Sequence, residues 1–393
     1  MISERSGLLL AVFCLVLAGC SGASDADQQA GAPTSAPLMA APGSAPLPEG
    51  VAADLDEALD AWLDAEGLPG VTAAVVTPEG SWAGAAGVDG AGTPLVPESA
   101  MAIASITKTF TAAEVMLLSA RGLVDLDAPV TDYVDLPFDT RDATVRHLLS
   151  MSSGFPDDSL EAFNEAAIGN PDKDFDVGDS ISLVDPDAGR MGEVGYGQEY
   201  NNVNFAVLGE MIEQVTDQTY AEAVRADLLD HTDLSRVWLQ DDEQPETPLT
   251  VAQTLPQVPV VDPDSPWLPS RGMASIAGSE GGIAADASTV ARWGALLYGG
   301  HVIDASLVEQ MTAGQQDDDD WYGLGTFRGE FDGQPWVGHF GDIVSYHGQL
   351  IVFPDTATSI AYFVPAPSTR HSRPVLTTAD LTVQLRDVTI AAG

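Results

Sequence analysis

Strand-like patterning stands at both ends of the ordered part of the chain, and the long stretch between carries little of it. Residues 71–77 and 81–87 read as two strands around the turn Thr77-Pro78-Glu79-Gly80. Strands return only at 323–328, 336–340, 349–353 and 359–364. Between them, roughly 123–270, lie long acidic loops and helices, two of which are expected at 145–149 and 203–215. Such a chain buries its apolar residues most simply as an α+β fold. One antiparallel sheet is built from both chain ends and flanked by helices, and an all-helical subdomain is inserted between its halves. The flanking helices are legible too. Leu55, Leu59, Trp62 and Leu63 share one helical face before Gly67, and a second helix runs 106–121 with Gly122 as its C′ residue. Its stripe of Phe110, Val115, Leu117 and Leu118 is core. A last helix is expected at 378–387, and no internal repeat is visible.

Ahead of this fold stand two segments of different character. Residues 1–19 read as a lipoprotein signal peptide: Arg5, an apolar run from Leu8 to Leu17, then Leu17-Ala18-Gly19-Cys20. The run is too short for a permanent membrane span. The bacterial lipobox has this form, with cleavage before Cys20 and lipid attachment to its thiol; the plainer alternative is an ordinary cleaved leader with a chance cysteine. Cys14 leaves with the leader, so the mature exported domain folds without a disulfide. Residues 20–50, rich in Ala, Pro, Ser and Gly, are expected to form a disordered tether that spans roughly 30 Å root-mean-square. The expected location is therefore the cell membrane, lipid-anchored, on the extracytoplasmic side. The folded part is 51–393.

Composition excludes one class of partner. The formal charge is −44, from 59 Asp+Glu against 15 Lys+Arg, which repels phosphate and excludes nucleic-acid binding through a basic surface. Four aspartates at 317–320 lack the turn glycine and spaced ligands of a calcium loop and read as a solvated loop.

Three motifs carry chemistry. In Ser105-Ile106-Thr107-Lys108 the helical i, i+3 spacing sets the lysine amine beside a serine hydroxyl, which needs a base to become a nucleophile. Only two lysines and 27 serines occur, so chance would supply roughly 0.14 such pairs. In Tyr200-Asn201-Asn202, residues two apart in an extended approach face the same way, so Tyr200 and Asn202 address one cavity. A lysine cation would stabilise a Tyr200 phenolate able to relay protons, and Asn202 offers an amide to Lys108 or a substrate. Taken alone, the pair reads more simply as a core tyrosine and a helix-capping asparagine. In Gly338-His339-Phe340-Gly341, Gly341 leaves room for a ligand along a strand, and His339 can donate a hydrogen bond or carry charge near neutral pH. By itself it reads as a polar residue on a half-exposed strand.

Together and in this order the motifs resemble those of the penicillin-recognising serine hydrolases: class C β-lactamases, D-alanyl-D-alanine carboxypeptidases and their esterase relatives. The resemblance covers about residues 51–365 and takes in the stretches 123–130, 145–154 and 275–293. It implies a β-lactamase/transpeptidase-like fold, no cofactor and no metal, and a small-molecule or peptide amide or ester as substrate. Ser105 would be the acylated nucleophile and Lys108 with Tyr200 the base pair. Asn202 would orient substrate, and His339 would fill the family's Lys or His slot. The oxyanion hole would be the backbone N–H groups of Ser105 and Asp342. This chain departs from the family pattern at Asp342, Ser345 and Met151. Asp342 would put an anion where relatives receive a substrate carboxylate, which favours an uncharged ester or amide. The rival expectation is a lipid-anchored ligand-binding protein on the same scaffold, its chemistry lost through Asp342. No Gly-x-Ser-x-Gly elbow, His-Glu-x-x-His or Walker loop points to another hydrolase class. The sequence carries no signal of oligomeric state.

Overall fold

The structure is a computed structural model, and it describes residues 35–157, 160–185, 189–253, 265–315, 320–366 and 376–391. The leader, Cys20, the first part of the tether and three of the four aspartates at 317–320 lie outside the described residues.

Helix α1 (Glu49–Glu66) buries Leu55, Leu59, Trp62 and Leu63, the face its spacing predicts. The hairpin β1 (Gly70–Val76) and β2 (Ser81–Gly87) follows, then the short β3 (Met101–Ala102), a 3₁₀ turn (Ala104–Thr107) and α2 (Lys108–Ala120). The middle holds α3 (Val145–Leu149), α4 (Leu160–Gly169), α5 (Val203–Thr216), α6 (Tyr220–Val224) and β4 (Val237–Leu239). Then come α7 (Arg271–Gly281), β5 (Ile283–Ala285), α8 (Ala287–Tyr298) and α9 (Ala305–Thr312). The chain finishes with β6 (Phe327–Phe331), β7 (Gln334–Ile343), β8 (Tyr346–Phe353), β9 (Thr358–Val364) and α10 (Leu381–Ala391).

The principal sheet has the order β2-β1-β9-β8-β7-β6, with every neighbouring pair antiparallel. The join between the chain ends is the β1–β9 pairing, from Thr72 opposite Phe363 to Val76 opposite Ser359. Helices α1 and α10 cover one face: the Trp62 ring lies 5.4 Å from Tyr362, and Thr382 Oγ1 donates to Gln349 Oε1 at 3.5 Å. Helix α8 covers the other, where a Cβ on Gly294 would come within 2.7 Å of Leu350 and Ser359; the helix can approach that closely only without a side chain there. The fold is the expected one: α+β, an antiparallel sheet flanked by helices, with a helical subdomain inserted.

Three expectations need correction. Of the strand expected at 323–328 only Phe327 and Arg328 pair, as the start of β6; before them Gly323 N–H closes a turn on Thr326 O at 2.8 Å, Leu324 N–H goes to Met311 O and Gly325 N–H to Leu149 O. The Gly323 amide is spent within the turn and those of Leu324 and Gly325 on α9 and α3, so pairing with β7 starts only at Phe327 opposite Gly338. The middle is not purely helical either, because β4 pairs with β5 and β5 with β3 in a second small sheet. Its strands, two and three residues long, are too short to leave a periodic signal. The tether does not run to residue 50. From Ser35 the chain lies along the domain, with Leu38 N–H on Gly299 O at 2.8 Å and Leu47 N–H on Ser81 O at 2.9 Å. Met39 and Leu47 are buried, and Pro46 bridges Ser81, so this segment caps the edge strand β2.

Candidate active site

The nucleophile motif sits on the 3₁₀ turn that leads into α2. Ala104, just before Ser105, adopts φ +49°, a conformation that costs a non-glycine residue about 1–2 kcal/mol. Lys108 begins α2 and is fully buried. Its Nζ lies 3.1 Å from Ser105 Oγ, 3.0 Å from Asn202 Oδ1 and 2.8 Å from Glu280 O. The chemistry of these three partners is uneven. Asn202 Oδ1 and the Glu280 carbonyl can only accept, so they take two N–H bonds whatever the charge on the amine. The third position faces a hydroxyl that can donate. As an ammonium, Lys108 donates to Ser105; as a neutral amine, it turns its lone pair toward the Ser105 proton. The arrangement can serve as a base without moving a heavy atom.

Tyr200 and Asn202 approach from the start of α5, and both face this lysine, as their spacing predicts. Lys108 Nζ stands 5.2 Å from the centre of the Tyr200 ring. A hydrogen bond joins the Tyr200 hydroxyl to Ser105 and favours its ionisation. Burial outweighs that bond, and the carboxylates of Glu280, Asp157 and Asp342 add to burial, so the phenol pKa lies well above its usual value. The resting Tyr200 is therefore a phenol and not the phenolate expected from its neighbourhood with lysine. Asn202 does not cap α5 with its side chain. Asp157 Oδ1 takes the Asn202 and Val203 N–H groups at 3.0 and 3.2 Å, and Asn201 Oδ1 takes that of Asn204. With capping done by others, the Asn202 amide oxygen is left for Lys108.

Strand β7 forms the opposite wall. β6 pairs with it only from Gln334 to Gly338, and the nucleophile turn lies against the stretch beyond. A Cβ on Gly341 would stand 2.2 Å from Ile103 O, so only glycine lets the strand approach Ser105 this closely. His339 departs from expectation. It is fully buried; its Nδ1–H donates to Phe340 O at 2.7 Å, and its Nε2 accepts from the Tyr322 hydroxyl at 2.9 Å. Burial, then the charge of Lys108, pushes its pKa down to about 3 against the help of the Phe340 carbonyl. His339 is thus neutral near pH 7, and both ring nitrogens are committed to protein partners rather than to a substrate.

Asp342 is also placed differently from expectation. Its Oδ1 lies 2.8 Å from Nδ1 of His347, its register partner on β8. The His347 ring faces Tyr362 at 6.0 Å, on the side of the sheet covered by α1. Side chains alternate along a strand, so the Asp342 carboxylate and the Gly341 position that meets Ile103 are on opposite faces. The charge reaches the site only as a field. Sequence reasoning missed Asp157, the Glu280 carbonyl, Tyr322 and Gln198, whose side chain binds the Tyr322 backbone. Asp157 and Glu280 left no signal; Gln198, two residues before Tyr200, could have been suspected from that proximity alone. Among the described residues no group of three His, Cys, Asp or Glu side chains is placed to hold a metal, and no helix is long and apolar enough to cross a membrane.

An antiparallel sheet flanked by helices, with a helical insertion bringing Tyr-x-Asn to a Ser-x-x-Lys turn, defines the class of β-lactamase/transpeptidase folds. The chain belongs to the β-lactamase family, whose pattern matches residues 54–384. A D-stereospecific amidohydrolase from Streptomyces sp. has a similar structure, with TM-score 0.68 and 26% identity over 80% of this chain and 94% of that one. The D-amino acid amidase of Ochrobactrum anthropi SV3, complexed with D-phenylalanine, shares the fold at TM-score 0.71 and 20% identity, over 88% and 100% of the two chains. Esterase EstB of Burkholderia gladioli is 33% identical over 149 residues, 35% of this chain and 37% of the esterase. Penicillin-binding protein 4* of Bacillus subtilis is 28% identical over 142 residues, 34% of this chain and 29% of that protein. The matched stretch spans about a third of the length of these two curated relatives.

Proposed function

We propose that this protein is an exported, lipid-anchored hydrolase that cleaves an uncharged amide or ester through an acyl-enzyme on Ser105. The observation that carries the reading is the Ser105 hydroxyl, held by both Lys108 Nζ at 3.1 Å and the Tyr200 hydroxyl. Neutral Lys108 takes the Ser105 proton as Oγ attacks the substrate carbonyl. The oxyanion that forms is received by the backbone N–H groups of Ser105 and Asp342, donors of a kind commonly worth about 3–4 kcal/mol each. Tyr200, a phenol at rest, protonates the departing amine or alcohol, and the proton held by Lys108 makes good the one it gave. Water then repeats the sequence on the acyl-enzyme and frees the acid. Asn202 holds the lysine in place, and His339 supports the strand.

The uncharged substrate rests on the residues that surround the nucleophile. Both nitrogens of His339, which fills the slot of a substrate-binding cation, are committed. The carboxylates acting on Tyr200 make the local field unfavourable to an anion. Relatives named as an esterase and as a D-stereospecific amidohydrolase support the ester or amide class. The test is a substrate panel on the soluble domain: p-nitrophenyl butyrate, a neutral D-amino-acid amide and a carboxylate-bearing chromogenic β-lactam. Turnover of the ester or amide well above that of the β-lactam is expected. A folded domain that turns over none of the three, or the β-lactam alone, contradicts the reading.

A further inference from the structure

Gln198 stands two residues before Tyr200 and uses its whole side-chain amide. Nε2 donates to Ser150 O at 3.0 Å and to Tyr322 O at 2.7 Å. Oε1 accepts from Trp321 N–H at 3.1 Å and from Tyr322 N–H at 3.2 Å. Two donors and two acceptors exhaust what a glutamine offers. Two of the four bonds go to the N–H and the carbonyl of Tyr322, the pattern a strand would use in pairing. Tyr322 is fully buried and its hydroxyl meets His339 Nε2 at 2.9 Å; its ring stands edge-on to Tyr200 at 6.2 Å. His339 in turn fixes the Phe340 carbonyl on the strand that flanks Ser105. One amide therefore joins the segment bearing the Tyr200 hydroxyl to the segment that braces β7.

We propose that Gln198 is a positioning residue: its amide locks the Tyr200 approach to the Tyr322–His339 segment and so sets where the Tyr200 hydroxyl stands relative to Ser105. The inference rests on the Ser105 chemistry proposed above. Glutamate could not replace it, because its oxygens would face the Ser150 and Tyr322 carbonyls. Methionine has the same length and none of the bonds. Loss of the lock lets the hydroxyl drift, and a misplacement of about 1 Å can cost on the order of 100-fold in rate.

The test is a double-mutant cycle with p-nitrophenyl butyrate, reading kcat, KM and Tm for wild type, Gln198→Met, Tyr200→Phe and the double variant. Gln198→Met is expected to lower kcat by about 10–100-fold while KM stays within about threefold. In the Tyr200→Phe background the same change is expected to lower kcat by less than about twofold, since the group it positions is gone. A purely structural role would lower Tm alike in both backgrounds and scale kcat by one factor in both; that result, or unchanged kcat in the single variant, overturns the proposal. Should Gln198→Met fail to fold, Gln198→Asn, which keeps the amide one methylene short, is judged by the same criteria. A folded wild type that forms no product overturns the Ser105 reading and this inference with it, whereas an active wild type with equal losses overturns this inference alone.

Discussion

Replacing His339 by asparagine should remove a pH dependence of stability that the burial of its ring creates. The folded ring has a pKa of about 3, against an ordinary value of 6.5. The folded pKa is the lower one, so the unfolded chain takes up the proton first as pH falls. Stability is therefore full above about pH 6.5 and is lost progressively toward pH 3. Each unit of pH inside that window costs about 1.4 kcal/mol, so the loss from His339 between pH 8 and pH 5 is about 2 kcal/mol. Asp241 acts in the opposite sense. Burial raises its pKa to about 7, so its contribution grows as pH falls from about 7 toward the ordinary 3.8 and partly masks the histidine in the wild type. Comparing wild type with His339→Asn cancels every group the two share. Urea unfolding at about pH 8, 6.5 and 5 is the assay, with the midpoint and slope fitted at each pH. The stability difference between the two proteins, wild type minus variant, should fall by about 2 kcal/mol from pH 8 to pH 5. A constant difference would refute the reasoning, because it would mean that His339 titrates as an exposed ring does.

Three further outcomes follow from the site. Gly341→Ala puts a Cβ 2.2 Å from Ile103 O and pushes β7 away from the nucleophile turn; steady-state kinetics should show kcat reduced by about 100-fold or more. Asp342→Asn removes a half-exposed charge held by His347, and such a charge acts over a screened path worth about 1 kcal/mol or less; kcat/KM for a carboxylate-bearing β-lactam should rise by no more than about fivefold, and for a neutral ester hardly at all. Cys20→Ser should release the protein from the detergent phase into the aqueous phase, or leave the leader uncut, while activity of the folded domain is unchanged.

The parts legible in the sequence were those whose information is local. The turn Thr77-Pro78-Glu79-Gly80 between two short apolar runs gave β1 and β2, and the spacing of Leu55, Leu59, Trp62 and Leu63 gave α1. The helical i, i+3 relation was enough to bring Lys108 to Ser105, and the period of an extended approach brought Tyr200 and Asn202 to one side. What escaped depends on contacts across the fold. Tyr322 reaches His339 across 17 residues, and Gln198 reaches the Tyr322 backbone across 124, so no local pattern marks either as part of the site. The charge state of His339 was misjudged for a related reason: a histidine on a strand looks half-exposed until its neighbours are known, and full burial reverses its titration. The tether boundary differs because averaged composition hides Met39 and Leu47, two apolar side chains that are buried where backbone hydrogen bonds to Gly299, Thr77 and Ser81 lay residues 35–48 along the domain.

The central claim is that Ser105 carries the acyl group, and intact-mass spectrometry of a trapped intermediate tests it most directly. The soluble domain is mixed with excess p-nitrophenyl butyrate, quenched in acid within the burst, and digested to locate the adduct. The account predicts one added butyryl group per chain, on the peptide containing Ser105, and neither adduct nor burst in Ser105→Ala. An adduct on another residue, or the same labelling in Ser105→Ala, would contradict it.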